Sequence, residues 1–269
     1  MTKQKELVLG GDGLIGSALC TALRASGHEV VSLDLQSGCD LRAVDDRPFF
    51  ECDRVWFLAW DTGGAKYIEA ADRQHEQFKH NAELSLRVFD ALSRARKPFV
   101  FTSSQLAAVP TAYGSTKAMA ANWTLQLGGK VARLWNVYGW EHPSVRSHVI
   151  TDLALSGLTN GRVECRTHGN ERRRFLYKTD CVAAIIKFAE TSSQVAEIAG
   201  GEWLTIREIT QEIARQLDVE AEFGTLEGSE VMIDPKETLA DWSPEVTLPA
   251  GIELVITDAR RYLSNAATL

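Results

Sequence analysis

A tyrosine and a lysine four positions apart are the residues of this sequence with the clearest capacity for chemistry. Tyr113 and Lys117 stand in the segment YGSTK, and this spacing places both side chains on one face of a helix. A phenol ionises at about pH 10, so it needs a neighbouring positive charge to act as an acid or base near neutrality. The Lys117 ammonium group can supply that charge, although the pair taken alone is more typical of an exposed helical surface.

Two serines stand shortly before this pair. Ser103 and Ser104 follow a strand predicted over 98–102, and doubly wound α/β sheets bind their ligands at the carboxyl ends of their strands. A hydroxyl at that edge can hydrogen-bond a substrate oxygen that changes between alcohol and carbonyl. The order of serine pair, tyrosine and lysine therefore predicts a site for the interconversion of an alcohol and a carbonyl.

The segment GGDGLIG has the composition of a phosphate-binding turn. It follows a strand predicted over 7–10 and opens a helix predicted over 14–25. Missing side chains allow a tight turn and let backbone N–H groups approach a pyrophosphate, while the positive end of the helix dipole faces the anion. Such a turn alone is weak evidence for a nucleotide site. The first predicted cofactor contacts are Gly10, Gly13, Leu14, Ile15 and Gly16.

An acidic residue ends the second predicted strand, which covers 29–34. The Asp34 carboxylate can accept hydrogen bonds from both hydroxyls of an adenosine ribose, and it repels a 2′-phosphate. NAD is therefore favoured over NADP, although Asp34 as a turn or helix-capping residue is the alternative. Asp40 and Leu41 stand where a loop can reach the adenine, and we include them among the cofactor contacts.

The first 140 residues alternate short apolar runs with amphipathic stretches, which is typical of β-α-β units around a parallel sheet. Further strands are predicted over 55–59 and 131–137, and helices over 65–94, 112–127, 180–190 and 205–217. We predict an α/β fold with a Rossmann-type doubly wound parallel sheet and a smaller C-terminal α/β substrate domain. The predicted domains are 1–140 for the cofactor, with 172–195 returning to it, and 141–269 mainly for the substrate.

Composition limits the partners. The chain has 269 residues with 29 basic and 36 acidic side chains, a balance that argues against a nucleic acid or an anionic membrane surface. Its five cysteines are scattered, which indicates reduced thiols, and no cluster of residues has metal-ligand spacing. Residues 1–6 lack an apolar signal core, and no apolar run approaches the length of a membrane span. We expect a cytoplasmic protein without a metal.

In this order, the motifs resemble those of extended short-chain dehydrogenase/reductases, the NAD-dependent nucleotide-sugar epimerase/dehydratase family. The resemblance runs nearly end to end and is carried by GGDGLIG, LAWDTGG, FVFTSSQ, YGSTK, RLWNVYG and RRFLYKTD. It implies that Ser104, Tyr113 and Lys117 are catalytic, and that Lys117 also holds the nicotinamide ribose. It further implies a homodimer through two long helices of each subunit.

The resemblance adds further binding residues. It implies that the segment LAW, at the end of the strand predicted over 55–59, and an asparagine in the helix predicted over 65–94 border the cofactor. It also implies that three other residues contact the nucleotide sugar. A guanidinium group is a suitable diphosphate partner because it binds phosphate with two hydrogen bonds. The added cofactor residues are Leu58, Ala59, Trp60 and Asn81, and the substrate residues are Ser103, Asn136 and Arg173.

Several positions depart from the family pattern. Only eight residues separate Ser104 from Tyr113, where many members carry a longer loop. Gln105 replaces the acidic pair of sugar-nucleotide dehydratases, and no cysteine follows the serines as in 3,5-epimerases, so both of those reactions are disfavoured. Trp60 replaces a small residue near the cofactor. The pair Gly63-Gly64 resembles GDP-sugar enzymes and points weakly to a GDP-sugar.

The sequence therefore predicts an NAD-dependent nucleotide-sugar epimerase that acts by tyrosine-assisted hydride transfer, at C4 of a hexose. A nucleotide-sugar 4-reductase or dehydrogenase is the alternative within the same chemistry. A regulatory nucleotide-binding protein without turnover is the alternative from another class, and the intact set of Ser104, Tyr113 and Lys117 argues against it.

Overall fold

The computed structural model describes residues 3–230 and 233–266, and a six-stranded sheet lies at its centre. The strands are β1 (Lys5–Leu9), β2 (Glu29–Leu33), β3 (Arg54–Phe57), β4 (Phe99–Ser104), β5 (Lys130–Leu134), β6 (Val137–Tyr138), β7 (Arg162–Thr167), β8 (Arg172–Arg173), β9 (Leu176–Tyr177), β10 (Val195–Ile198), β11 (Leu204–Thr205) and β12 (Glu220–Leu226). The central sheet has the order β2-β1-β3-β4-β5-β10, and its pairs are all parallel. The predicted Rossmann-type α/β fold is confirmed.

Helices cover both faces of this sheet. They are α1 (Leu14–Ala25), α2 (Arg47–Glu51), α3 (Ala65–Ile68), α4 (Gln74–Ala95), α5 (Ala112–Gln126), α6 (Val149–Asn160), α7 (Lys178–Ala189), α8 (Ile206–Leu217) and α9 (Leu248–Ala266). Because side chains alternate along a strand, Val8 of β1 enters a core with α1 and α7, whereas Leu7 and Leu9 enter a second core with α4 and α5. Because helices bury both faces of the sheet, these strands are apolar along their whole length.

The strand order reverses at β1, which lies between β2 and β3. The chain reaches β3 from β2 through a 3-10 turn at Leu41–Ala43 and the short helix α2. From β1 the chain runs to β2 on one side and then crosses back to β3 on the other side. A crevice therefore opens above the carboxyl ends of β1 and β3, which is where doubly wound folds bind ligands.

The later part of the chain forms a third core, built by α6, α8, α9 and the parallel pair β7-β12. The predicted apolar stripe of α8 lies in it, and α8 begins with a capping box between Thr205 and Glu208. The helix α7 and the strand β10 belong instead to the central sheet and its cover. The domain boundaries given above stay a prediction.

Two predicted elements are interrupted. The continuous helix predicted over 65–94 is wrong, because α3 ends at Ile68 and α4 begins at Gln74 after a 3-10 turn. The Gln74 amide donates to the carbonyls of Ile68 and Ala70 at 2.9 and 3.1 Å, which satisfies backbone groups at the break. The strand predicted over 131–137 is also too long, because β5 ends at Leu134 and β6 pairs with β9 in a separate small sheet.

A helix that crosses a bilayer must be both long and apolar along its length. None of the helices within residues 3–230 and 233–266 meets both requirements.

Candidate active site

A single large cavity of about 1540 Å³ runs above the carboxyl ends of the central strands, from the glycine turn to the segment 226–229. Every residue that the sequence predicts for the site lines it. These residues are Gly10, Gly13, Leu14, Ile15, Gly16, Asp34, Asp40, Leu41, Leu58, Ala59, Trp60, Asn81, Ser103, Ser104, Tyr113, Lys117, Asn136 and Arg173. The fold therefore brings together residues from most of the chain's length.

The glycine turn makes two close backbone contacts. A side chain at Gly10, where φ is +90°, would put its Cβ 2.5 Å from the Ala59 nitrogen, and a Cβ at Gly16 would lie 2.0 Å from the Gly10 oxygen. Both positions need glycine for the chain's own packing. At Gly13, by contrast, φ is −73° and the nearest neighbour of a Cβ is the Gly10 oxygen at 3.5 Å. The chain itself has room for a side chain there, so the bare backbone at the start of α1 is suited to a ligand.

Asp34 is buried beside this turn. Its two carboxylate oxygens accept hydrogen bonds from the backbone N–H groups of Asp12 at 3.1 Å and Gln36 at 2.8 Å. Each oxygen has a second lone pair, so the carboxylate retains the capacity to accept from ribose hydroxyls. This geometry fits the predicted ribose contact.

Asp40 has a structural role that the sequence did not indicate. Its carboxylate accepts from the Arg42 guanidinium at 2.7 Å and from the Arg42 backbone N–H at 2.9 Å, and it caps the 3-10 turn. The hydrogen bonds from Arg42 lower the pKa of Asp40. Leu41 packs in the core beside it, so the adenine contact predicted for this pair stays a prediction.

Asn81 holds the end of β3 in place. Its side chain is fully buried, accepts from the Asp61 N–H at 2.8 Å and donates to the Asp61 carbonyl at 3.2 Å. The backbone of Leu58 and Ala59 bonds to the Leu9 carbonyl at 2.9 and 2.8 Å. Asn81 thus shapes the cavity wall through the backbone that follows Ala59.

The phenol of Tyr113 lies near the hydroxyls of Ser104 and Thr62, which affect its ionisation. Burial raises the pKa of Tyr113, and hydrogen bonding to Ser104 and Thr62 acts in the opposite direction. Ser104 ends β4, where its hydroxyl also accepts from the Leu106 N–H at 3.1 Å. The predicted serine and tyrosine therefore line the same cavity. Thr62 was missed, because no pattern links it to a residue so far along the chain.

Lys117 lies one turn further along α5, and only 4% of the residue is exposed. Its ammonium group donates to the Thr102 carbonyl at 2.7 Å and lies 5.9 Å from the centre of the Tyr113 ring. Burial holds the pKa of Lys117 well below its usual value. In the chain alone, the phenol pKa is raised rather than lowered, which is opposite to the direction that the sequence predicts for the pair with its cofactor.

Several buried polar atoms on the cavity wall have no hydrogen-bond partner in the described part of the chain. They are Trp60 Nε1, Ser103 Oγ, Gln105 Oε1, Trp135 Nε1 and Asn136 Nδ2. Buried polar groups are otherwise almost always paired, and each unpaired one costs about 1–3 kcal/mol. Their concentration in one cavity indicates that a polar ligand completes these bonds.

Arg173 lies at the opposite end of the cavity from the glycine turn. It is half-buried, and its guanidinium group donates to the carbonyls of Arg172, at 2.8 Å, and Ser229. Burial lowers the pKa of Arg173. Arg172 instead bonds Glu230, and Arg174 donates to the carbonyls of Gly200 and Gly201. Of the three arginines, Arg173 is the one that lines the cavity, and it retains donors for a ligand.

The pair Gly63-Gly64 has a packing explanation. Side chains there would bring Cβ atoms to 2.9 Å from the Arg146 oxygen and 2.6 Å from the Ser147 oxygen. The Arg146 guanidinium then reaches Asp61 at 2.9 Å. The glycines therefore admit the segment that precedes α6, and their presence needs no particular nucleoside.

Two remaining points concern His148, a residue of the cavity wall, and the possibility of a metal site. The His148 ring lies 2.9 Å from the Glu141 carboxylate at the start of α6, a capping position. Within residues 3–230 and 233–266, no three His, Cys, Asp or Glu side chains gather as metal ligands.

Residues 7–199 match the model of the NAD dependent epimerase/dehydratase family. The chain belongs to this family. The match spans the glycine turn, the serine pair, YGSTK and Arg173, and it confirms the resemblance and the prediction of an NAD-dependent enzyme of this family. A comparison with curated proteins finds no significant match.

Solved structures agree on the fold. The UDP-glucose 4-epimerase of Thermotoga maritima, solved with UDP-glucose, superposes with a TM-score of 0.81 at 20% identity, covering 96% of this chain and 99% of that one. The UDP-glucuronic acid 4-epimerase of Bacillus cereus, solved with UDP-glucuronic acid and NAD, gives 0.81 at 21% with the same coverage. An NAD-dependent NDP-hexosamine 5,6-dehydratase involved in tunicamycin biosynthesis gives 0.81 at 17%, covering 96% and 97%. At such identities the likeness concerns the fold.

Substitution of Gly13 by alanine tests whether this glycine serves a ligand. We expect Gly13→Ala to cost less than about 1 kcal/mol of stability, because the chain has room for the methyl group, and to weaken NAD binding about tenfold or more. Gly16→Ala is the matched control, which should destabilise the fold by about 1–3 kcal/mol through its backbone clash. Thermal melting and NAD titration measure both effects. Unchanged NAD affinity in Gly13→Ala would contradict the assignment.

Proposed function

We propose that this protein is an NAD-dependent nucleotide-sugar epimerase that transfers hydride at C4 of the sugar. The observation that carries the proposal is that Ser104, Tyr113 and Lys117 line one cavity together with the glycine turn, with the Lys117 nitrogen 5.9 Å from the centre of the Tyr113 ring. An acid or base of this kind, beside a dinucleotide turn, suits the interconversion of an alcohol and a ketone.

The two ends of the cavity suit different groups of a ligand. Near the glycine turn, the wall offers the Asp34 carboxylate and the backbone at the start of α1, which suit ribose hydroxyls and a pyrophosphate. At the other end, Arg173 lines the cavity beside the segment 226–229, which suits a second anionic group such as the diphosphate of a nucleotide sugar. The sugar would then lie between them, beside Tyr113.

When bound, NAD would supply a centre that accepts hydride from the sugar carbon and, after the keto sugar has turned, returns it to the opposite face. Tyr113 takes the proton from the sugar hydroxyl as that oxygen becomes a carbonyl and gives it back in the reverse step. The Ser104 hydroxyl donates to the same oxygen and fixes its distance from the phenol. Lys117 places a positive charge beside Tyr113, which favours the phenolate that takes the proton.

Gln105 supports epimerisation over dehydration. Its amide Oε1 lies buried in the cavity without a partner in the described chain, next to Ser104 in sequence. An amide can hydrogen-bond a sugar hydroxyl, but it cannot supply the proton that a departing hydroxide needs. A reductase remains the second candidate, since it needs the same residues. Conversion without a net change in the absorbance of reduced nicotinamide would support the epimerase.

A homodimer through α4 and α5 is part of the proposal. The two helices pack against each other on one face of the sheet, and their outer faces carry large exposed apolar side chains. These are Phe78 and Leu86 on α4, and Met119 and Trp123 on α5. Leu86 is 74% exposed and Trp123 53%. Apolar residues gathered on one surface are typical of an interface, and a second copy offers the same surface by symmetry.

The Asp34 carboxylate predicts the choice of cofactor. NAD should raise the melting temperature of the protein more than NADP does at equal concentration. Asp34→Asn keeps an acceptor but loses the charge, so we expect NAD to bind about tenfold more weakly and NADP to gain. Equal stabilisation of the unsubstituted protein by both dinucleotides would contradict the preference.

Removal of the Tyr113 hydroxyl tests the mechanism. Because the phenol carries the proton, Tyr113→Phe should lower the conversion rate of a nucleotide sugar at least about a hundredfold, while NAD affinity stays close to that of the unsubstituted protein. Ser115→Ala, on the exposed side of the same helix, is the control and should leave the rate unchanged. A panel of GDP-, UDP-, dTDP- and CDP-sugars, with and without reduced cofactor, identifies the substrate. Full activity in Tyr113→Phe would refute the assignment.

A charge on the outer face of α5 tests the dimer. Trp123→Glu should convert the protein to a monomer, because two carboxylates would meet at the interface and the indole area would be lost. Leu254→Glu on α9, which also replaces an exposed apolar side chain, should leave the mass in solution unchanged. Light scattering after size exclusion measures both. A dimer that persists in Trp123→Glu would place the interface elsewhere.

A further inference from the structure

Trp60 stands at a position where the sequence departs from the family pattern, and its indole ring covers the ammonium group of Lys117. The Lys117 nitrogen lies 4.2 Å from the centre of the Trp60 ring and 4.8 Å from that of Phe101. Both distances are within the range of a cation–π contact, and tryptophan is the strongest partner for one. The catalytic lysine therefore lies under an aromatic cover.

This cover matters because Lys117 has no counter-ion. Within the described residues, no carboxylate lies within ion-pair distance of its ammonium group, and the one acceptor that it meets is the Thr102 carbonyl at 2.7 Å. Burial alone depresses the pKa of Lys117. A neutral amine would no longer place a charge beside Tyr113.

We propose that Trp60 is a positioning residue, which keeps Lys117 charged and holds its ammonium group at the cavity wall through the face of the indole. The inference rests on the proposed function, because it concerns how the lysine of that site is maintained. Two N–H donors of the ammonium group remain after the bond to Thr102. The indole thus stabilises the cation without occupying the donors that a ligand's hydroxyls require.

The indole is itself fixed by packing. Its ring lies 6.0 Å from Phe57 and 5.4 Å from Phe101, both fully buried residues of the sheet. Its Nε1 donor is buried and has no partner in the described chain. The residue therefore offers two separate functions, a face for Lys117 and an edge donor for a ligand, which substitution can separate.

The groups that face Lys117 come from three elements. Tyr113 on its own helix is the titratable one, Phe101 and Thr102 belong to β4, and Trp60 follows β3. Asp61, next to Trp60 in sequence, is paired with Arg146 at 2.9 Å and with the Tyr67 hydroxyl at 2.8 Å. The aromatic face is therefore the main compensation for burial besides the Thr102 carbonyl.

The titration of Lys117 in the cofactor-free protein tests this. With lysine labelled at Cε with carbon-13, the NMR signal of Lys117 is assigned by its loss in Lys117→Arg. We expect the titration midpoint to fall by about one pH unit in Trp60→Leu and by less in Trp60→Phe, which keeps a weaker π face. Trp135→Leu, another tryptophan of the cavity wall, should leave the midpoint unchanged.

The pH profile of turnover gives a second reading. Since activity needs the charged lysine, the loss of activity at high pH should move to lower pH in Trp60→Leu, and Trp60→Phe should restore most of the shift. If Trp60→Leu fails to fold, a lowered midpoint in Trp60→Phe still supports the proposal. Midpoints that are equal in the unsubstituted protein and the folded Trp60 variants would overturn it. That result would leave the proposed reaction intact, whereas activity in Tyr113→Phe would refute the reaction itself.

Discussion

The close approach of two backbone segments at the centre of the sheet is the constraint on which the site depends. A Cβ at Gly10 would meet the Ala59 nitrogen at 2.5 Å, and one at Gly16 would meet the Gly10 oxygen at 2.0 Å. Because neither atom is present, β1, the start of α1 and the end of β3 converge at the point where the strand order reverses. The backbones of these segments leave the gap above the strand ends, and side chains form the rest of the cavity wall.

Burial favours the neutral forms of both Tyr113 and Lys117. It raises the pKa of the phenol and lowers that of the ammonium group, so it favours the neutral form of both. The hydroxyls of Ser104 and Thr62 oppose the first effect, and the Thr102 carbonyl and the indole of Trp60 oppose the second. In the chain alone both groups are therefore shifted toward their neutral forms, and the positive charge of a bound ligand would favour the phenolate.

Local patterns were sufficient for the parts of the site that lie within one element or one turn. The glycine turn, the end of β2 at Asp34 and the helical pair Tyr113 and Lys117 were predicted because short spacing determines their geometry. Contacts between distant segments were not. Thr62 reaches Tyr113 through the fold, and the Gly63-Gly64 pair admits the backbone near Arg146. The break before Gln74 escaped prediction because it depends on one side-chain amide, which satisfies the carbonyls of Ile68 and Ala70.

The departures from the family pattern share a physical character. Trp60 places an aromatic face on the cavity wall where the family carries a small residue, and Gln105 places a neutral amide where a dehydratase would carry acids. Neutral groups can orient a sugar by hydrogen bonds without competing for its protons. Arg146 is paired with Asp61 at 2.9 Å, so Arg173 is the cation proposed for an anionic group of the ligand. The proposed reaction, in which hydride leaves and returns at one carbon, needs one group that takes and returns a proton, and Tyr113 is the residue proposed for it.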